Sequence, residues 1–457
     1  MELVMCLTNS WCFAARDFGL PLGASDEHHA TVPSLLKHSF PTIRNLAVAA
    51  PETFPLRSGA VNDSSAQPLE VSIQFLSCQR SRPRPRPVLR TTRVLCILLF
   101  ILLPRCAFSF EWQTALPEKQ GFDPVKLRAL QERLAAQETK ALLVIRRDAI
   151  VLEWYGPDHG PDKKYGTASL AKALVGGVCT AIALTDGRVK LDDPVAKFVP
   201  SWRSDARKAA ITLRHLGSHT SGLEDAEADG LPHEQLTGWK GDFWKRLEPP
   251  QDAFTISRDI APVLFTPGEK WQYSNPGLAM LSYVLTEVYR ADSDPDLRGL
   301  LRERVMWPIG VPASEWTIGY GRTYRVSGLP LVASWGGANF TGRAAARVGR
   351  LMLREGDWDG KRLLSAEAVR AVTHDVGTPG PNGIGWWSNQ DGFFPKVPRD
   401  AFWGAGAGHQ VLLVIPSLNL IAVRQGQKLK SAAKGEEPFA QEIFEPLLDA
   451  LLPGIKP

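Results

Sequence analysis

The last 348 residues of this 457-residue chain hold one cysteine, Cys179; the other five, Cys6, Cys12, Cys78, Cys96 and Cys106, all precede residue 110. One cysteine forms no internal disulfide, and no Cys/His cluster has zinc-like spacing, which excludes a disulfide scaffold and a structural metal. Cys179 falls in the middle of an apolar helical pattern and reads as core packing. Charge of one sign is also missing. Residues 1–109 carry 11 Lys+Arg against 7 Asp+Glu, and residues 110–457 carry 42 against 41. A near-neutral main portion offers no nucleic-acid surface. Phosphate-binding loops are lacking too: Gly356 to Lys361 is too short for one, and Gly404/Gly406/Gly408 lacks the spacing and preceding strand of a dinucleotide site. No cofactor and no metal is therefore expected. No repeat of 20–50 residues is present.

What the first 109 residues do contain is a leader. Residues 1–90 show no sustained helical or strand periodicity and end in the Arg/Pro alternation Arg80 to Pro87, which packs neither as a helix nor as a central strand. Basic residues Arg90 and Arg93 then precede the apolar run Val94 to Leu103 and a small-x-small ending, Ala107-Phe108-Ser109. That is the build of a secretory signal peptide at about 88–109, and ten apolar residues are too few to cross a bilayer as a helix. The expectation is an upstream extension (1–87), a signal peptide, and a mature periplasmic or secreted protein with no stable membrane span. The alternative is an N-terminal extension with a short inner-membrane anchor.

Residues 110–457 read as one catalytic-size domain. Asp123-Pro124 opens a helix through about Ala136, with Asp123 as N-cap and proline at the first helical position. The β-branched runs Ala141 to Arg146 and Ala149 to Tyr155 flank Arg147-Asp148 as a hairpin. The pattern predicts a long helix from Ser169 to Asp186 stopped by Gly187, and a helix from Thr341 to Arg354. A second hairpin is expected at Gln410 to Ile415 and Leu418 to Arg424, with a C-terminal helix at Pro438 to Leu452. Strands at both ends with helices between them indicate an α/β (α+β) fold: an antiparallel sheet flanked by helices, with a mostly helical subdomain inserted at about 187–340. The polar, Gly/Pro-interrupted stretch Glu224 to Asp252 reads as a surface excursion near the rim of the site.

Two short motifs carry chemistry. Ser169 and Lys172 lie three positions apart at a helix start, which puts hydroxyl and amine on one face. A serine hydroxyl needs a base to become a nucleophile, and a lysine held neutral by burial supplies one. A lysine in a helix's first turn opposes the dipole, which itself disfavours its charge. The second motif, Tyr273-Ser274-Asn275 followed by Pro276, leads into an apolar helix; Asn275 suits the N-cap, and Tyr273 stands opposite as a proton relay.

With these motifs, Leu191-Asp192-Asp193-Pro194 and the segment Ile211 to Leu223 (His215-Leu216-Gly217-Ser218-His219-Thr220-Ser221-Gly222), the chain resembles the β-lactamase-related serine hydrolases, over roughly residues 118–452. That family includes class C β-lactamases, penicillin-binding carboxypeptidases, esterases and 6-aminohexanoate-dimer hydrolases. The resemblance implies a β-lactamase/transpeptidase-like fold, Ser169 as acylated nucleophile, Lys172 as its base, Tyr273 as proton shuttle, and Asn275 as a partner of substrate or of Lys172. It implies a structural role for His215 and His219. The family's third motif, Lys-Thr-Gly or His-x-Gly, aligns with Ala407-Gly408-His409, so that alanine takes the cation's place. Gly408, His409 and Gln410 then line the substrate, with the N–H groups of Gln410 and Ser169 as oxyanion donors. Loss of the cation suits a small neutral ester, amide or peptide-like substrate. A true β-lactamase or D-Ala-D-Ala carboxypeptidase is the alternative, and a non-catalytic penicillin-binding-like sensor the second. Among Trp154, Tyr155, Trp271, Trp386, Trp387, Phe393, Phe394 and Trp403, one or two are expected to line the cleft and the rest to pack the core.

Overall fold

A computed structural model of the protein describes residues 110–228, 230–292, 296–430 and 439–454, and the backbone of a short hairpin pairing Leu3–Thr8 with Ser10–Ala15. Residues 88–109, where the signal peptide is expected, lie outside the described residues.

The centre of the fold is a seven-stranded sheet. In chain order its strands are β1 (Gln113–Thr114), β2 (Thr139–Arg146), β3 (Ala149–Tyr155), β4 (Trp387–Ser388), β5 (Phe402–Gly406), β6 (Gln410–Ile415) and β7 (Leu420–Gly426). Their spatial order is β4-β5-β6-β7-β2-β3-β1, antiparallel throughout except for the β1–β3 edge. An early and a late segment of residues 110–457 thus meet where β7 pairs with β2. Both faces are covered, which explains why β2 and β6 read as continuous apolar runs instead of alternating ones. Along β2, Ala141, Leu143 and Ile145 enter one core and Leu142 and Val144 the other.

Helices α1 (Pro124–Ala135) and the C-terminal segment cover one face. Asp123 caps α1 by accepting from the Val125 and Lys126 N–H groups, and Lys126 and Arg133 donate to the Asp449 and Glu442 carbonyls. The C-terminal segment is shorter than expected, a π-helical turn at Ala440–Phe444 followed by Glu445–Asp449. The second hairpin's return strand starts two residues late, because Pro416–Leu418 forms a turn that Asn419 closes in the left-handed region (φ 48°).

The opposite face packs against the helix that carries Ser169. It departs from the single helix expected: a 3₁₀ turn at Ala168–Leu170, a π-helical stretch at Lys172–Gly177, then α2 (Val178–Thr185), with Gly187 at φ 66° beyond its end. Its neighbours crowd it: a Cβ on Gly177 would lie 2.5 Å from Trp386 Nε1 and 2.7 Å from Ile384 O. Residues 168–185 reach a mean hydropathy of 1.6 but are 78% buried, a core helix by packing. Next to it runs α3 (Asn275–Val288), and α4 (Gly342–Leu353) crosses the sheet with Thr341 as its N-cap.

Between residues 187 and 340 short helices dominate, interrupted by small strands. One of these, Asn339–Phe340, pairs with Tyr165–Gly166 and fixes the chain just before Ser169. The N–H of Thr167 donates to Ala338 O at 2.8 Å.

Candidate active site

Ser169 stands on the 3₁₀ turn, entered through Ala168 in the left-handed region (φ 46°). A non-glycine residue held there stores local strain, which is tolerated where the surroundings fix it. The surroundings here are β5. A Cβ added to Gly406 would lie 2.9 Å from Ser169 N and 2.8 Å from Leu170 N, and would collide with Thr167 O. Gly404 meets the side chains of Leu170 and Ala173 in the same way. The glycines of this strand let its backbone touch the turn that carries Ser169.

The hydroxyl of Ser169 lies at the junction of two hydrogen bonds. Lys172 Nζ donates to Ser169 Oγ at 3.1 Å, and Tyr273 Oη donates to it at 2.8 Å. Lys172 is buried, and its other two donors go to Asn275 Oδ1 (2.9 Å) and the carbonyl of Trp335 (2.7 Å). Burial pushes its pKa well below the lysine norm, opposed by the negative charges of Glu227 and Asp225. When the ammonium loses one proton, the two carbonyl acceptors retain the remaining two N–H bonds, and the lone pair is left facing Ser169 Oγ. The geometry is that of a general base.

Tyr273 is held from both sides. His219 stacks on its ring with centroids 4.4 Å apart at 22°, and Lys172 Nζ lies 4.7 Å from the ring centre. Burial, then the charge of Lys172, drives the pKa of His219 far below the ordinary imidazole value. Its Nδ1 accepts from the Ser274 N–H at 3.1 Å, which leaves the proton of the neutral ring on Nε2. Ser274, not Asn275, caps α3: its Oγ accepts from the Gly277 N–H, and the Asn275 side chain is thereby released toward Lys172. Asn275 thus meets Lys172, as expected of one of its two partners.

Gly408, His409 and Gln410 are placed differently from expectation. Gly406 pairs with Gln410, so residues 407–409 form the turn of the β5–β6 hairpin. His409 Nδ1 accepts from Leu429 N–H at 2.7 Å, and burial, then Arg424 and Lys428, hold its pKa near 4. Gln410 exchanges two hydrogen bonds with the backbone of Gly426, and Arg424 binds the carbonyls of Gly408 and His409. All three fasten the hairpin to β7 and its continuation. The strand segment beside Ser169 is Gly404-Ala405-Gly406, three residues earlier than the alignment predicted, and it too presents no cation.

Two acidic residues missing from the expected set complete the cluster. Asp225 Oδ1 accepts from the Asn275 backbone N–H (2.8 Å) and from Asn275 Nδ2 (3.1 Å), and Glu227 Oε1 lies 3.4 Å from the same Nδ2. Burial, then Glu227, raises the pKa of Asp225, while its bonds to Asn275 and the nearby Lys172 charge oppose the rise. The run Glu224 to Glu227 carries no apolar pattern, so nothing in it distinguished these carboxylates from a solvated loop.

Trp386 and Trp387 line the cleft at Ser169 together with Tyr273, His219 and Ala405. A cavity of about 530 Å³ is lined by Ala168 together with Phe243, Trp244, Tyr320, Tyr324 and Trp335. Among the described residues, no three His, Cys, Asp or Glu side chains converge as a metal site.

Comparison with known proteins agrees with this architecture. Residues 128–442 match the beta-lactamase family model. The chain is 25% identical over 252 residues to the 6-aminohexanoate-dimer hydrolase of Paenarthrobacter ureafaciens, covering 54% of this chain and 60% of that one. It is 28% identical over 155 residues to esterase EstB of Burkholderia gladioli, covering 33% and 38%. The chain therefore spans about 60% or less of the length of these two relatives. Among solved structures, a penicillin-binding protein homologue from Caulobacter crescentus superposes with a TM-score of 0.54 at 18% identity, covering 72% of this chain and 99% of that one, a likeness of fold. By the family match across most of its length, this chain belongs to the beta-lactamase family.

Proposed function

We propose that the protein is a serine hydrolase that cleaves an ester or amide bond of a small neutral substrate through an acyl-enzyme on Ser169. The observation that carries this reading is the pair of hydrogen bonds at Ser169 Oγ, from Lys172 and Tyr273, with the lysine's other donors committed to carbonyl oxygens. Neutral Lys172 takes the hydroxyl proton as Oγ bonds to the substrate carbonyl carbon. The developing oxyanion is received by the backbone N–H of Ser169 and by the backbone at Gly406–Ala407. Tyr273 passes a proton to the leaving alcohol or amine as its bond to the carbonyl carbon breaks. Water then attacks the acyl-enzyme with the same groups acting in reverse, releasing the acid and restoring Ser169.

Support for the substrate class comes from two sides. Gly404-Ala405-Gly406 offers no cation to a substrate carboxylate, and the similar proteins include an esterase and a 6-aminohexanoate-dimer hydrolase by name. Ser169→Ala is expected to abolish turnover of p-nitrophenyl esters and labelling by an active-site phosphonate while circular dichroism stays unchanged. Lys172→Ala and Tyr273→Phe are each expected to cost about 10²–10⁴ in kcat. A panel of neutral esters, short amides and nitrocefin should show the neutral substrates preferred. Retained esterase activity in Ser169→Ala would refute the assignment, and nitrocefin as the best substrate would overturn the neutral preference.

A further inference from the structure

The Asn275 amide is nearly symmetric in shape, so only its partners decide which end faces Lys172. Its oxygen accepts from Lys172 Nζ at 2.9 Å, and its nitrogen faces Asp225 Oδ1 at 3.1 Å and Glu227 Oε1 at 3.4 Å. Asp225 itself is anchored, because the same oxygen takes the backbone N–H groups of Asn275 and Ala226 at 2.8 and 2.9 Å. We propose that Asp225, assisted by Glu227, is a positioning residue for the catalytic base: it fixes the Asn275 amide with its oxygen on Lys172, and so keeps the amine directed at Ser169.

A reversed amide would set an NH₂ group against the lysine donors and a carbonyl oxygen against two carboxylates. Every hydrogen bond of the side-chain amide would be lost, in a site where burial makes unmatched polar groups costly. Lys172 would keep one fixed acceptor, the Trp335 carbonyl, and its amine could swing off Ser169 Oγ. The clamp also occupies both hydrogens of the Asn275 nitrogen, so this residue has no donor left for a substrate. The charged and titratable groups facing Lys172 are Asp225 and Glu227 from the loop that follows the short helix Leu213–Gly217, Tyr273 at the entry to α3, and His219, which is neutral.

This inference rests on Lys172 being the base of a Ser169 acyl-enzyme, and the test separates the two. Steady-state hydrolysis of a p-nitrophenyl ester is measured for the wild type, Asp225→Ala and Asp225→Asn, together with the rate of phosphonate labelling. Asp225→Ala is expected to lower kcat and the labelling rate by about 10- to 100-fold at nearly constant KM. Asp225→Asn, whose carbonyl accepts the same N–H bonds, is expected to restore most of that loss. In an Asn275→Ala background, Asp225→Ala should cost little more, since the effect runs through the amide. If the wild type labels and Asp225→Ala labels equally fast, or if the two losses simply add, the positioning role is overturned while the acyl-enzyme stands. A wild type that takes no label removes the base and this proposal with it. Should thermal melting show Asp225→Ala to be unfolded, Asp225→Glu carries the test: the displaced carboxylate should lower kcat at constant KM, and an unchanged kcat overturns the role.

Discussion

At the scale of single residues, the chemistry depends on how far burial moves one amine. Free lysine titrates near 10.5, and an ammonium cannot take a proton from Ser169. Burial lowers the value, so the neutral base is populated at lower pH than for an exposed lysine. The sign follows: kcat/KM should fall on the acid side as Lys172 gains its proton, and the limb should lie well below pH 10. A pH profile with a neutral ester checks this, and activity that rises only above pH 10 would contradict it. Ser169 and Lys172 were legible as a pair through helical spacing and chemical type, and Tyr273 through the family resemblance; the fold brings all three together. Asp225 and Glu227 were not, since a carboxylate beneath an active site and a carboxylate in water have the same letter. Only the contact with Asn275 distinguishes them.

Among elements, β5 shows how closely strand and nucleophile turn are fitted. Gly406→Ala would drive a methyl group against Thr167 O and the Ser169 N–H, so the turn or the strand must shift. Overpacking of this kind costs about 1–3 kcal/mol and here also moves an oxyanion donor. The expected outcome is a lower melting temperature together with a loss of kcat larger than the loss of substrate affinity, read by thermal denaturation and ester hydrolysis. The strand itself was not anticipated, and the segment expected beside Ser169, Ala407-Gly408-His409, lies three residues beyond the one found there. A run of glycine and alanine has no inward–outward alternation to fix register. Caps were easier where one residue alone fitted, as with Asp123 and Thr341. At Ser274-Asn275 two adjacent residues could serve, and the choice of Ser274 was made by the partners awaiting Asn275.

Over the whole molecule, β2 and β7 join segments nearly three hundred residues apart in sequence, and the Ser169 helix is enclosed by sheet, α3 and the Trp386 loop. From the apolar and basic composition of residues 88–109 we propose that the mature protein is exported. N-terminal sequencing of protein recovered from the periplasm or culture medium should find a start at or after residue 100; a start well before it would favour an anchored or uncleaved form. The sequence by itself determined the family resemblance, the two terminal hairpins with the helices between them, and the candidate set Ser169, Lys172 and Tyr273. The elements and the Ser169–Lys172 pair depend on residue type, local periodicity and helical spacing, which act over a few positions, and Tyr273 joins them through the ordered motifs of the family. Tertiary structure alone decided which strand residues border Ser169, which residue caps α3, and that two loop carboxylates grip Asn275. Each of these is a contact between distant segments, and its energy depends on burial and on competing partners that no local pattern records.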